Sequence, residues 1–203
     1  MKIFYKKLNN SKSGFTLVET LVAVFILTLA VTSLLSLTSK SLFSARYARN
    51  EITADYLLQG AADYVRNERD TIAFQQDTSG GGWNNFFNTF GSPTSSTLCF
   101  SPNGCYFDVN NNDNLSVKAC NSIATFGTIK CPVFYYDPNA ANGGFYNYNS
   151  STGNLSNFKR KIYFKTNPDN PNELFVTVTV EWFNGTLVQS RSLYMSLLNW
   201  LGS

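Results

Sequence analysis

Glu19 is the only charged residue in the 23-residue run from Phe15 to Leu37. About 20 mostly apolar residues suffice for a helix to cross a bilayer. A carboxylate inside such a helix costs on the order of 1–3 kcal/mol, so it is a functional group by default. Just upstream stands Gly14, after a leader that holds Lys2, Lys6, Lys7 and Lys12 and no acidic residue. A secretory signal places its apolar core first and its small-residue cleavage site after it. Here the small residue comes first. Cutting the Gly14–Phe15 bond would remove the basic leader, keep the apolar helix and create an amine on Phe15, one helical turn from Glu19. The competing reading is an uncut signal anchor in which Gly14 and Glu19 have no role. In either case the lysines hold the leader on the cytoplasmic side.

The second set of reactive residues is Cys99, Cys105, Cys120 and Cys131, all beyond the apolar run. An even count in an exported domain predicts two disulfides. Three connectivities are open. Local pairing, Cys99–Cys105 and Cys120–Cys131, is the expected one, because each pair brackets a short turn-rich segment. Zinc is disfavoured: no spacing is CxxC and the chain has no histidine. That lack also removes Ser-His and Cys-His nucleophile pairs. Asp108-Val109-Asn110-Asn111-Asn112-Asp113 alternates oxygen side chains but lacks the glycine and distal glutamate of a calcium loop. Gly80-Gly81-Gly82 has no following lysine or helix signal, which argues against a phosphate loop. No enzyme activity, metal or cofactor is expected. The formal charge of +3 comes from the leader; without it twelve basic side chains face thirteen acidic ones. No nucleic-acid partner follows from that balance.

Helical periodicity continues past the membrane run. Phe43, Tyr47, Ala54, Leu57, Leu58, Ala61, Tyr64 and Val65 recur at spacings of three, four and seven. One helix is predicted from about Phe15 to about Thr71, with its second half amphipathic and in need of a cover. Tyr56, Tyr64 and Val65 are expected in the core, and Ala48, Ile52 and Tyr56 form a weaker stripe that would face neighbouring subunits. From the glycine run to about Gly153 the chain is expected to be irregular, with short strands at Cys105–Val109 and Pro132–Tyr136. Ala140–Asn154 is expected as an exposed aromatic loop. Arg160–Lys165 is a strand candidate. Leu174, Val176, Val178, Val180 and Trp182 alternate with more polar residues and lead into Asn184-Gly185, a hairpin signal. A two-residue loop there would set Trp182 opposite Leu187, Val176 opposite Leu193 and Arg191 opposite Val178, on the face that covers the helix. Arg191 fits that face only at a bulge or an edge. The closing Leu197, Leu198, Trp200 and Leu201 are expected to pack.

The run Ser13-Gly14-Phe15-Thr16-Leu17-Val18-Glu19-Thr20-Leu21-Val22-Ala23 resembles the type IV prepilin cleavage and methylation motif. Tyr56–Asp70 resembles, more loosely, the end of the long helix in PilV-type minor pilins, with Gly60 as a departure. The resemblance implies an α+β, type IV pilin-like fold. A long N-terminal helix, transmembrane in its first half, would be packed by an antiparallel sheet head with disulfides. It divides the chain into a cleaved leader (1–14), a transmembrane half-helix (15–37), an amphipathic half (38–71) and an extracytoplasmic β-rich head (72–203). It implies cutting after Gly14 and methylation of Phe15 by a prepilin peptidase. Glu19 would pair with a neighbour's Phe15 amine during filament assembly. A buried carboxylate and a buried ammonium are each costly alone and tolerable together. The implied function is that of a minor pilin that initiates, tips or modifies a type IV pilus. The implied partners are other pilins, the peptidase, an inner-membrane assembly platform and, before assembly, membrane lipid. The implied location is the inner membrane with the head outside, then the fimbrium at the cell surface. A pseudopilin of a type II secretion or DNA-uptake system shares this N-terminus; neighbouring genes would separate the two. An alternative of another class is a membrane-anchored adhesion module that uses the aromatic loop near Phe145.

Overall fold

The computed structural model describes residues 14–75, 82–107, 117–122, 126–139, 145–151, 153–185 and 187–200. The leader lysines, Gly80-Gly81, the Asp108–Asp113 run, residues 140–144 and Leu201 lie outside them. The chain divides into two compact units, Met1–Arg46 and Tyr47–Ser203.

Helix α1 spans Leu17–Gln75, ending four residues beyond the expected Thr71. In the first unit every described residue is exposed, and an 18-residue window has a mean hydropathy of 2.4. The hydroxyls in this stretch turn back onto the helix. Thr20 donates to the Leu17 carbonyl (2.8 Å), Thr28 to Phe25 (2.8 Å), Ser33 to Ala30 (2.8 Å) and Thr38 to Leu35 (2.9 Å). A helix that satisfies its backbone and hydroxyls internally can sit in lipid without unpaired polar groups.

In the second unit α1 buries Ala54, Leu58, Ala61, Ala62 and Val65. Tyr64 is half-buried against Phe107, with ring centroids 4.7 Å apart. Tyr56, expected in the core, is 70% exposed; the turn that buries Leu58 and Ala62 points it away from the sheet. Gly60 is exposed. The expectation of irregular chain after the glycines also fails. Gly82–Phe90 is a helix, α2, that buries Phe86 and Phe90. Trp83, Phe86, Phe87 and Phe90 follow the 3–4–7 spacing of an amphipathic helix, and Phe86 stacks on Phe164 at 6.0 Å.

Among the described residues seven strands form one antiparallel sheet: β1 Cys105–Tyr106, β2 Lys118–Ala119, β3 Val133–Asp137, β4 Phe145–Asn147, β5 Asn154–Thr166, β6 Glu173–Phe183 and β7 Val188–Leu198. The expected strand at 160–165 grows to thirteen residues; of that expected at 105–109, Cys105–Tyr106 is strand, Phe107 is not, and 108–109 lie outside the described residues. One edge of β5 carries β6, and β7 follows. Its other edge is shared by β3, over Asn154–Lys159, and by β1, at Ile162. Sharing that edge is what requires β5 to be long. Leu174, Val176, Val178, Val180 and Trp182 are all buried on one face and cover α1.

The final hairpin keeps the expected alternation but shifts its register by two residues. Phe183 pairs with Val188, Val176 with Met195 and Val180 with Arg191. The Asn184 N–H donates to the Leu187 carbonyl (3.0 Å) and Gly185 has φ 83°. Glycine therefore occupies the first central position of the turn, where a positive φ is needed, rather than the second. A shift of two preserves which side chains face inward. Arg191 lies on an edge strand and forms an ion pair with Glu51 of α1, which resolves its poor fit to that face.

Ala140–Asn154 is not a free loop throughout. Tyr146 packs on Phe158 (5.6 Å) and Tyr148 on Phe134 (4.4 Å), while Phe145 remains 37% exposed. At the C-terminus Leu197 is buried, Leu198 is half exposed and Trp200 meets Phe74 edge-on at 5.6 Å.

Candidate functional site

Thr16 starts α1. Its hydroxyl accepts the Glu19 N–H (3.3 Å) and its carbonyl accepts the Thr20 N–H (3.2 Å). Thr16-Leu17-Val18-Glu19 therefore has the spacing of a capping box, with glutamate at the third helical position. A carboxylate in the first turn also favours the helix dipole by about 0.3–1 kcal/mol. The spacing of Thr16 and Glu19 is itself a sequence signal for a helix start, beside that of a charge in an apolar run. Both roles fit together: the backbone of Glu19 is used by the cap, and its side chain projects outward. Glu19 is exposed, and among the described residues its carboxylate makes no ion pair. The next charge along α1 is Lys40, leaving 20 uncharged residues between them, about the length of a bilayer span.

Gly14 and Phe15 precede the helix. Phe15 is 80% exposed. A methyl group added at Gly14 would meet nothing within 4 Å. Among the described residues, packing therefore does not demand glycine at this position, and the Gly14–Phe15 bond lies on exposed residues. An amine created at Phe15 would lie just outside the helix, one turn before Glu19.

The cysteines assemble elsewhere. Cys99 is bonded to Cys105 and Cys120 to Cys131, with Cα separations of 4.5 and 4.2 Å. Beside the second bridge lie two buried side chains of opposite charge that periodicity could not reveal. Lys159 and Glu181 face each other across β5 and β6 and are 1% and 5% exposed. Glu181 accepts the N–H groups of Thr128 (3.0 Å) and Ile129 (3.0 Å) and the Thr128 hydroxyl (2.6 Å). Lys159 donates to the Phe126 and Ile129 carbonyls at 3.0 and 3.2 Å and lies 4.5 Å from the Phe126 ring centroid. Burial pushes the Lys159 pKa down, opposed by the Glu181 charge. Gly127, at φ 64°, makes the close approach possible, since a Cβ there would run into the Glu181 carboxylate. Every charge in this cluster is occupied in holding the loop before Cys131, so the cluster is structural. Among the described residues no group of three or more His, Cys, Asp or Glu is placed to hold a metal.

Residues 9–35 match the family described as the prokaryotic N-terminal methylation motif. No curated protein and no solved structure matches the chain. Together with the long apolar helix, the antiparallel sheet head and the two disulfides, this match supports a type IV prepilin-like protein.

Proposed function

We propose that the protein is a minor pilin, a structural subunit of a type IV pilus that is cut after Gly14, methylated on Phe15 and drawn from the inner membrane into a filament. The observation that carries this reading is the methylation-motif match over 9–35, joined to an apolar helix whose described residues are all exposed. Such a helix needs lipid or other helices around it. Moving it from one to the other exchanges two environments of low dielectric, so the transfer itself need not cost much. Glu19 is the exception, because its charge is costly in either place. The amine of a neighbour's Phe15 offsets that cost and sets the axial register between subunits. Within one chain the two groups sit a turn apart on the same strand of backbone, whereas a neighbour's terminus approaches directly.

Mass spectrometry of the native protein tests the first step: an N-terminus at Phe15 carrying one added methyl group is expected, and exported material with an intact leader would sink the reading. Glu19→Ala tests the second. It is expected to insert and to be cut as the parent is, and to enter filaments poorly.

A further inference from the structure

The long strand β7 has a neighbour on one side only, since it pairs with β6 and with no other strand among the described residues. The hairpin's hydrogen bonds tell which backbone groups face outward. Asn184 bonds Leu187 at one end and Asn199 bonds Asn172 at the other. In an antiparallel ladder bonded residues alternate. The odd-numbered residues of β7 therefore face β6. Val188, Ser190, Ser192, Tyr194, Ser196 and Leu198 point their N–H and C=O groups away. At Leu198 that carbonyl is met by Arg69, at 3.5 Å. From Val188 to Ser196 nothing described meets them.

Exposed edges are normally protected by proline, lysine, a bulge or a short strand. Val188–Leu198 has no proline and no lysine, and it runs in unbroken register with β6 over eleven pairs. Its one charge, Arg191, is turned inward to Glu51. The outward-facing side chains Ser190, Ser192 and Ser196 are small, so another backbone can approach. An edge this long and this bare is built to be paired.

We propose that the open edge of β7 takes an extended segment of a different chain of the same assembly, added as one more strand. The choice of a different chain rests on the filament reading above. In a bundle, copies of α1 run in one direction. Within the head α1 and β7 also run in one direction, since Glu51 meets Arg191 and, further along both elements, Arg69 meets Leu198. An antiparallel pair of β7 strands would set two copies of α1 in opposite directions, and a parallel pair would set them on opposite faces of the joined sheet. Among the described residues the other sheet edges a copy offers are short: two residues in β2 and three in β4. The occupant is thus an extended segment of six or more residues from another subunit, apolar or hydroxyl-bearing where it lies beside Leu193 and Tyr194. Backbone bonds would supply affinity and alternate side chains would supply specificity.

The test uses the full chain in cells that assemble it. A photo-crosslinking side chain at Ser190 or Ser196 should join the protein to a different subunit, in membranes or in filaments. Ser192→Pro removes an outward N–H that the fold does not use. It should reduce both the adduct and incorporation by about tenfold or more, whereas Ser192→Ala should leave both unchanged. The second unit contains its own core, so the melting temperature of residues 47–203 reports whether Ser192→Pro still folds. An adduct only with a second copy, no adduct at all, or normal incorporation of a folded Ser192→Pro would overturn the proposal. If the unmodified protein keeps its leader and never enters filaments, the filament reading fails instead, and the membrane adduct still decides whether the edge is occupied.

Discussion

Glu19 and Glu181 are the same side chain in opposite situations. Glu181 is 5% exposed and receives three donors from Thr128 and Ile129, with Lys159 across the strand. Glu19 is exposed on an apolar helix, and among the described residues no cation is paired with it. The first carboxylate has all its partners inside its own fold. The second has a backbone cap and no partner for its charge. A charge completed within the chain stabilises the chain, and a charge left incomplete points to another molecule. The same contrast holds for the apolar surface around each. Trp182, next to Glu181, is buried at 1%, whereas Phe25, in the first unit, is 60% exposed.

The sharpest way to break this comparison is to delete the two glutamates separately. Glu181→Ala removes the acceptor of the Thr128 and Ile129 donors and the countercharge opposite Lys159, and should destabilise residues 47–203 by about 3–5 kcal/mol in a denaturant titration. Glu19→Ala should leave the unfolding transition of the head, measured in the full chain, where it was. A shift of the head transition by the second variant would dissolve the distinction. A smaller effect is expected from the bridge that closes the same loop. Replacing Cys120 and Cys131 together by serine frees a cross-link spanning 11 residues, a loss of about 2–3 kcal/mol. Because Lys159 and Glu181 hold the same loop, this loss and that of Glu181→Ala should not add.

The smallest effect concerns a third glutamate, Glu173, which is half-buried at the surface and partnered. Hydrogen bonds from Ser196 and Asn167 hold its carboxyl below the ordinary value of 4.5. A carboxyl whose folded pKa is depressed contributes stability in full above its unfolded value and loses it as pH falls through the folded value. Melting curves below pH 4.5 should therefore drop less steeply for Glu173→Gln than for the parent. Equal slopes would show that the surface hydrogen bonds carry no linkage.

The legible parts of the molecule share one property: their information is local. Thr16–Glu19 holds a helix cap within four residues, and the motif over 9–35 likewise lies on one stretch of chain. The apolar run needs only its own length to be recognised. Leu174–Trp182 alternates with period two and lies on a sheet face as expected. Local turn chemistry misled by one position, because Asn184-Gly185 suits one turn and glycine at the first central position suits another; the strand lengths on either side chose between them. The aromatic helix Gly82–Phe90 was legible from its spacing, but the glycine run before it suggested a loop. Tyr146 and Tyr148 resembled loop aromatics because the surface they cover, Phe134 and Phe158, is supplied by other strands.

The sequence by itself determined the N-terminal motif, the membrane-length helix, the amphipathic continuation and the inward face of the last two strands. Each is a matter of residue type and period along a single stretch of chain. Only the tertiary structure decided that Lys159 and Glu181 stand opposite each other in the core, that Arg191 is answered by Glu51, and that β7 ends the sheet among the described residues. Those outcomes depend on residues brought together from distant parts of the chain, and neither charge nor periodicity encodes which distant residue will arrive.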